Sequence, residues 1–284
     1  MPLLHTGSLL HEAARHGRAI GAFNVLHLET AEALSAGAER AGLPLILQIS
    51  QNCVAFHGGL EPIGVATREL AHRSPADLSL HLDHAEDEEL ACAAIDLGFS
   101  SVMFDGSRLP YEDNVAATAR VVAYAHARGA VVEAELGEIG GKDGAHAPGV
   151  RTDPAEAVQF VGDTGVDSLA VAVGSSHAMA ERSAQLDLAL IADLAAVVPV
   201  PLVLHGSSGV ADDMIVAAIR AGIVKINVST HLNKVFTQSM RAYLDDNPSV
   251  VDTRKYLGRG REAMADEVAR MLTVFAAGAA VQSR

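Results

Sequence analysis

The feature that most restricts the fold is a regular alternation of short apolar runs with helical stretches, repeated eight times. Strand-like runs fall at 19–24, 45–50, 78–83, 101–105, 130–136, 168–173, 202–205 and 223–228. After them, apolar residues recur at helical spacing in 28–41, 63–72, 87–97, 110–128, 153–164, 186–197, 212–221 and 231–244, several closed by a glycine such as Gly42, Gly98 or Gly129. Strands that alternate with helices pair in parallel, because each helix carries the chain back across the sheet. Eight such units in a chain of 284 residues are the arithmetic of a (β/α)8 TIM barrel. An open, doubly wound sheet is the other arrangement, and the regularity of the eight units favours closure. A short helix at 8–16, with Ser8 as its cap, precedes the first strand, and an extra helix at about 262–277 follows the last unit. No linker or low-complexity stretch divides the chain, so one barrel domain is expected over 1–284.

Composition narrows the class of partner. The chain is 49% hydrophobic and 20% charged, which supports a large core. Its net charge is −14 with no block of Lys or Arg, which argues against nucleic acid or an anionic membrane as partner. A phosphorylated small molecule remains compatible, provided the site supplies its own positive potential. Cys53 and Cys92 lie outside any Cys-x-x-Cys pattern and read as small core residues. The N-terminal stretch carries charge throughout and has no long apolar run, so neither a signal peptide nor a membrane span is expected, and the reading is a cytoplasmic protein.

In such a barrel the active site lies at the C-terminal ends of the strands. Those ends read, in order, Asn24, Ser50, Asp83 with His84, Asp105, Glu133 with Glu135, the segment GSSH ending at His177, His205, and Asn227. Each strand thus delivers a polar or ionisable group to one rim. In SLHLDHAED, alternation places His81 and Asp83 on one face, with His81 inside the barrel below the rim, and His84 just past the strand end. A carboxylate beside an imidazole can move a proton next to a bound metal. The plainer alternative is a polar strand end leading into an acidic first helical turn, Glu86 to Glu89.

The other histidines tip the balance. His84, His177 and His205 come from strands three, six and seven and can converge on one ion, and three imidazoles with an open fourth position form a catalytic zinc arrangement. After His205, Gly206, Ser207 and Ser208 offer backbone N–H groups near a helix start. Strand eight ends in NVST at another helix start, bringing Asn227, Ser229 and Thr230 to the rim. Loops after strands seven and eight form a phosphate site in many barrels.

The segments GAFN, HLDHAED, SSVMFDGS with LPYEDNV, VEAELGEIGG, DSLAVAVGSSH, PLVLHGSSGV and KINVST, in this order and spacing, resemble the class II (zinc-dependent) ketose-bisphosphate aldolases, most nearly the fructose- and tagatose-bisphosphate group. The likeness covers nearly the whole chain. It implies a lyase that reversibly cleaves fructose- or tagatose-1,6-bisphosphate to dihydroxyacetone phosphate and glyceraldehyde 3-phosphate, with Zn2+ as the Lewis acid. By this resemblance His84, His177 and His205 are zinc ligands and Asp83 is the acid/base for the C4 hydroxyl. Asp105 and Glu135 match a second or alternative divalent-metal position. Gly206, Ser207, Asn227, Ser229 and Thr230 match the loops that hold one phosphate, and Asn24 and Ser50 lie near the substrate. The family also uses a monovalent cation in many cases, and its members are homodimers or homotetramers.

The chain departs from the pattern in places. The glutamate that protonates C3 in the family corresponds to Asp143, with Glu138 as the alternative. Ala178 follows His177 where glycine is usual. Ser229 stands where fructose-type members carry aspartate or asparagine and tagatose-type members alanine, so the epimer stays open. For the distal phosphate the candidates are Arg259 and Arg254. Rival readings are another phosphorylated ketose or deoxy-sugar acid as substrate, a metal-dependent barrel hydrolase, a Schiff-base aldolase using Lys225, and a barrel retained only for binding. The hydrolase reading lacks its usual His-x-His at strand one, which here ends GAFN.

Overall fold

A computed structural model of the chain describes residues 3–136, 151–175 and 184–278. Its strands are β1 (Ile20–Asn24), β2 (Leu45–Ser50), β3 (Leu78–Ala85), β4 (Ser101–Phe104), β5 (Val131–Glu135), β6 (Ser168–Ala170), β7 (Leu202–Leu204) and β8 (Ile223–Val228). They form a closed barrel in sequence order, every neighbouring pair parallel, with β8 returning to β1 through Ile20 opposite Lys225 and Ala22 opposite Asn227. The expected (β/α)8 architecture is the one observed.

The helices are α1 (Thr6–Arg15), α2 (Leu28–Ala41), α3 (Gln51–Phe56), α4 (Leu60–Arg73), α5 (Glu88–Asp96), α6 (Tyr111–His126), α7 (Pro154–Thr164), α8 (Leu188–Val197), α9 (Asp212–Ala221), α10 (Thr230–Asp246) and α11 (Thr253–Ala276). Three differ from the sequence expectation. Helix α1 starts at Thr6, its cap supplied by the His5 imidazole, which accepts from Gly7 N, rather than by Ser8. Helix α3 occupies what reads as a loop; Ser50 caps it by accepting from Cys53 N at 3.2 Å. Helix α11 begins at Thr253 rather than near Glu262, with Asp252 as its cap. The glycines of LGRGRE disguise that first part as a break. Gly260 is there because a Cβ would stand 2.8 Å from the Phe236 ring, so α10 and α11 can pack closely only over glycine.

Two layers of packing result. Outward residues of the strands, such as Leu78, Leu80 and Leu82, Val132 and Ala134, Ile226 and Val228, join the helices in one large apolar cluster. Inside, the floor is apolar: Ile20, Ala22, Ile46 and Val224 pack on Leu9, Leu10 and Ala13 of α1, which closes the bottom of the barrel. Thr6 adds a hydrogen bond to Ser79 at 3.1 Å. Above that floor the interior turns polar, and the site stands on it. Among the described residues no helix is long and apolar enough to cross a membrane.

Candidate metal centre and active site

Strand β3 brings two adjacent residues to one place, which a regular strand cannot do, since neighbours point to opposite faces. The device is local. Register between β3 and β4 shifts between Leu82 and Ala85, and His84 has φ of 49°, the one positive φ outside glycine among the described residues. A left-handed conformation is costly for a residue with a Cβ and persists where its surroundings impose it, commonly at functional sites. Here it turns the His84 ring to the same side as the Asp83 carboxylate.

The two described histidines then meet. His84 Nε2 lies 3.0 Å from His205 Nδ1, the ring centroids 4.7 Å apart. The far nitrogen of each ring touches a buried carboxylate: His84 Nδ1 to Asp105 Oδ2 at 2.7 Å, and His205 Nε2 to Glu133 Oε1 at 2.8 Å. Ionised carboxylates only accept, so when the two rings are neutral each donates its N–H outward to its carboxylate and turns its lone pair toward the other ring. Two lone pairs at 3.0 Å repel unless a cation lies against them. This is the arrangement that carboxylates impose on metal-binding imidazoles. An Asp83 oxygen and one ring nitrogen from each of His84 and His205 lie within 4.8 Å of one another, and His84, Asp105 and Glu135 form a second group of the same compactness. The residues present fit a divalent ion with nitrogen ligands, as zinc is.

Asp83 is 4% exposed. Its Oδ1 accepts from Asn227 Nδ2 at 3.2 Å; its Oδ2 accepts from Asn24 Nδ2 at 3.3 Å and, more distantly, from Gln48 Nε2 at 3.4 Å. Burial pushes its pKa up, but positive charge at His84, then His205 and Lys225, reverses this and holds the carboxyl below its ordinary value. A bound cation supplies the same sign when the imidazoles are neutral ligands. Asp83 is therefore held as a buried, ionised carboxylate. Beside it, Gln48 Oε1 and Asn227 Oδ1 are buried acceptors with no hydrogen-bond partner among the described residues.

The family can now be stated. The class-II fructose-bisphosphate aldolase model matches residues 5–279. The fructose-bisphosphate aldolase of Geobacillus stearothermophilus is 39% identical over 287 aligned residues, covering 99% of this chain and 100% of its own length. That of Staphylococcus epidermidis is 38% identical over 272, covering 94% and 95%. The chain belongs to the class-II fructose-bisphosphate aldolase family. It is therefore an aldolase, a carbon–carbon lyase of a family characterised by zinc dependence. Among solved structures, the YdjI aldolase of Escherichia coli K12 superposes with a TM-score of 0.81 at 29% identity, covering 96% of this chain and 97% of that one. The fructose-bisphosphate aldolase of Campylobacter jejuni, at 22% identity and a TM-score of 0.77 over 94% and 93%, shares the fold.

The remaining expected residues divide into those the aldolase gathers and those it does not. Asn24, Asp83, His84, Asp105, Glu135, His205 and Asn227 lie together at the rim. Ser50 is spent on capping α3. In the phosphate loops, Gly206 has φ of 66° and turns the chain into a short 3-10 helix, Ser207–Gly209. Ser207 Oγ donates to the Asn227 carbonyl and Ser208 Oγ accepts from His231 N at 3.2 Å, so these hydroxyls tie the β7 loop to the end of β8 and the start of α10. Any phosphate there falls to backbone N–H groups and to the N-terminus that α10 presents from Ser229 and Thr230.

Arg259 does not come to this rim: its guanidinium sits 5.4 Å over the Tyr243 ring, about 20 Å down α10 at about 1.5 Å per residue. Arg254 pairs with its neighbour Asp252. His177, Glu138 and Asp143 lie outside the described residues. His81 is inside the barrel below the rim, as alternation predicts. Sequence reasoning missed Gln48 and the roles of Glu133 and Lys225. The available signal was a polar residue on the inward register of LILQIS, VEAE and IVKINV.

Proposed function

We propose that this aldolase cleaves a ketose 1,6-bisphosphate, fructose or tagatose 1,6-bisphosphate, to dihydroxyacetone phosphate and glyceraldehyde 3-phosphate, with Zn2+ held by His84, His205 and His177. The observation that carries this reading is the facing pair of imidazole nitrogens, His84 Nε2 and His205 Nδ1, 3.0 Å apart, beside the buried carboxylate of Asp83. When bound, the ion supplies Lewis acidity to the substrate's carbonyl as the C3–C4 bond breaks. The chain's own residues do the rest. Asp83 Oδ2 or Oδ1 takes the proton of the C4 hydroxyl, so that the bond electrons can leave toward C3 while the aldehyde forms. Asn24 and Asn227 hold that carboxylate in place, and the open acceptors of Gln48 and Asn227 suit substrate hydroxyls. Proton return to C3 is assigned to Asp143, with Glu138 as its alternative. The N-terminus of α10 suits one phosphate, and Asp105 and Glu135 suit a second or alternative divalent position.

The resemblance also supports a homodimer or homotetramer working in the cytoplasm, without nucleic acid or membrane as partner. The test is a cleavage assay with fructose, tagatose and sorbose bisphosphates, before and after chelation, with light scattering for the assembly. Activity with at least one ketose bisphosphate, lost on chelation and restored by zinc, is expected. Full activity after exhaustive chelation, together with a borohydride-trapped adduct on Lys225, would transfer the chain to Schiff-base chemistry.

A further inference from the structure

Beneath the metal ligands lies a buried row that the reaction does not touch: Ser101, His81, Lys225 and Glu133, none more than 2% exposed. We propose that Lys225 is a positioning residue of the metal centre, holding Glu133 against His205 and thereby fixing His205 with its Nδ1 lone pair toward the ion. The inference rests on the metal-dependent reading above.

The direction of every hydrogen bond follows from the lysine. An ammonium only donates. Lys225 Nζ is 2.6 Å from Glu133 Oε2 and 3.2 Å from His81 Nε2, so that nitrogen must accept. His81 then carries its proton on Nδ1 and donates to Ser101 Oγ at 2.7 Å. Burial first, then the neighbouring ammonium, push the His81 pKa well below the ordinary histidine value, consistent with a neutral ring in that role. On the other side, Glu133 is engaged through both oxygens, one by Lys225 and one by the Nε2–H of His205. With Nε2 of His205 turned to Glu133, an ion would meet Nδ1, the atom that faces His84 and lies 3.4 Å from Asn227 Nδ2.

An apolar residue would fill the space of Lys225 at lower cost, as Met103 and Val203 do elsewhere inside the barrel. A buried ammonium is kept because the carboxylate behind His205 would otherwise stand without a counter-charge. It also explains why this inward lysine is no Schiff-base nucleophile: Nζ is committed on two sides and fully covered.

The test compares wild type, Lys225→Met, and the double variant Lys225→Met/Glu133→Gln, which removes both charges together. Zinc affinity is measured by competition with a chromophoric chelator, folding by thermal melting, and imidazole tautomers by 15N spectra of the histidines. Both variants are expected to bind zinc about 10- to 100-fold more weakly, the usual cost of losing a partner behind a metal ligand. The double variant should melt close to wild type, separating positioning from folding. Wild-type spectra should show His81 as the Nδ1–H and His205 as the Nε2–H form.

A double variant that folds and binds zinc with wild-type affinity would overturn the inference, leaving Lys225 a structural ion-pair partner. If both variants fail to fold, the wild-type spectra decide: His81 or His205 in the opposite tautomer refutes the row, and the stated tautomers support it. Wild-type protein that binds no zinc would instead bring down the metal reading itself.

Discussion

The inside and the outside of the barrel are built from the same strands on opposite principles. On β3, Leu78, Leu80 and Leu82 face outward into apolar packing with the helices, while Ser79, His81 and Asp83 face inward into hydrogen bonds. Outside, a side chain loses only its own contacts when removed, because its neighbours have no directional demands. Inside, each group satisfies another, so a deletion strands its partner. Removing an outer side chain should therefore cost stability alone, whereas removing an inner one should also disturb the chemistry.

The sharpest way to break that division is His205→Ala. Zinc content and cleavage should vanish while circular dichroism and the melting profile keep the fold, since Glu133 retains Lys225. Retention of full metal content, measured by elemental analysis, would refute the ligand assignment. Asp83→Asn should follow, keeping zinc but lowering kcat by about 10²- to 10⁴-fold, the usual range for a lost acid/base group. An Asp83→Asn enzyme with wild-type kcat would move the proton chemistry elsewhere. On the outer face of the same strand, Leu80→Ala should cost about 2–5 kcal/mol of stability through the cavity it leaves, with kcat for the folded fraction unchanged. A fall in kcat without a fall in urea midpoint would show that the two layers are not separable.

What was legible in the sequence follows the same division. Period-two alternation and the eight repeats specify the strands and which face each residue takes, so Asp83, His84 and His205 could be placed at the rim. His81 could be placed inside on the same ground. Two things could not be read. One is the partner of an inward residue: Lys225 and Glu133 are 92 positions apart, and only closure of the barrel brings them together. The other is local distortion. Nothing in HLDHAED announces the left-handed turn at His84, since histidine there is a poor glycine substitute and only the folded surroundings hold it. The same limit hid α3, where QNCVAF looks like a loop until Ser50 caps it.

The smallest effect expected lies in a third region, where α9, α10 and α11 meet behind the phosphate loops. Glu267 accepts from Arg270 and contacts His231 Nε2 at 2.6 Å, and Arg270 reaches on to Asp212. Burial would push the Glu267 carboxyl up, but the bonds to Arg270 and His231 reverse this and hold it at about 2, against an ordinary value of 4.5. A carboxyl depressed on folding stabilises fully above its unfolded pKa and loses that contribution as pH falls toward the folded one. The window is therefore about pH 4.5 to 2, with stability falling by at most about 1.4 kcal/mol per pH unit from this group. At 17% exposure solvent screening reduces the whole contribution to a few kcal/mol at most. Urea unfolding of wild type and Glu267→Gln, both stripped of metal, should show a gap at pH 7 that narrows through this window. A gap that stays constant down to pH 3 would mean the carboxylate contributes packing rather than charge, making this corner another piece of the outer layer.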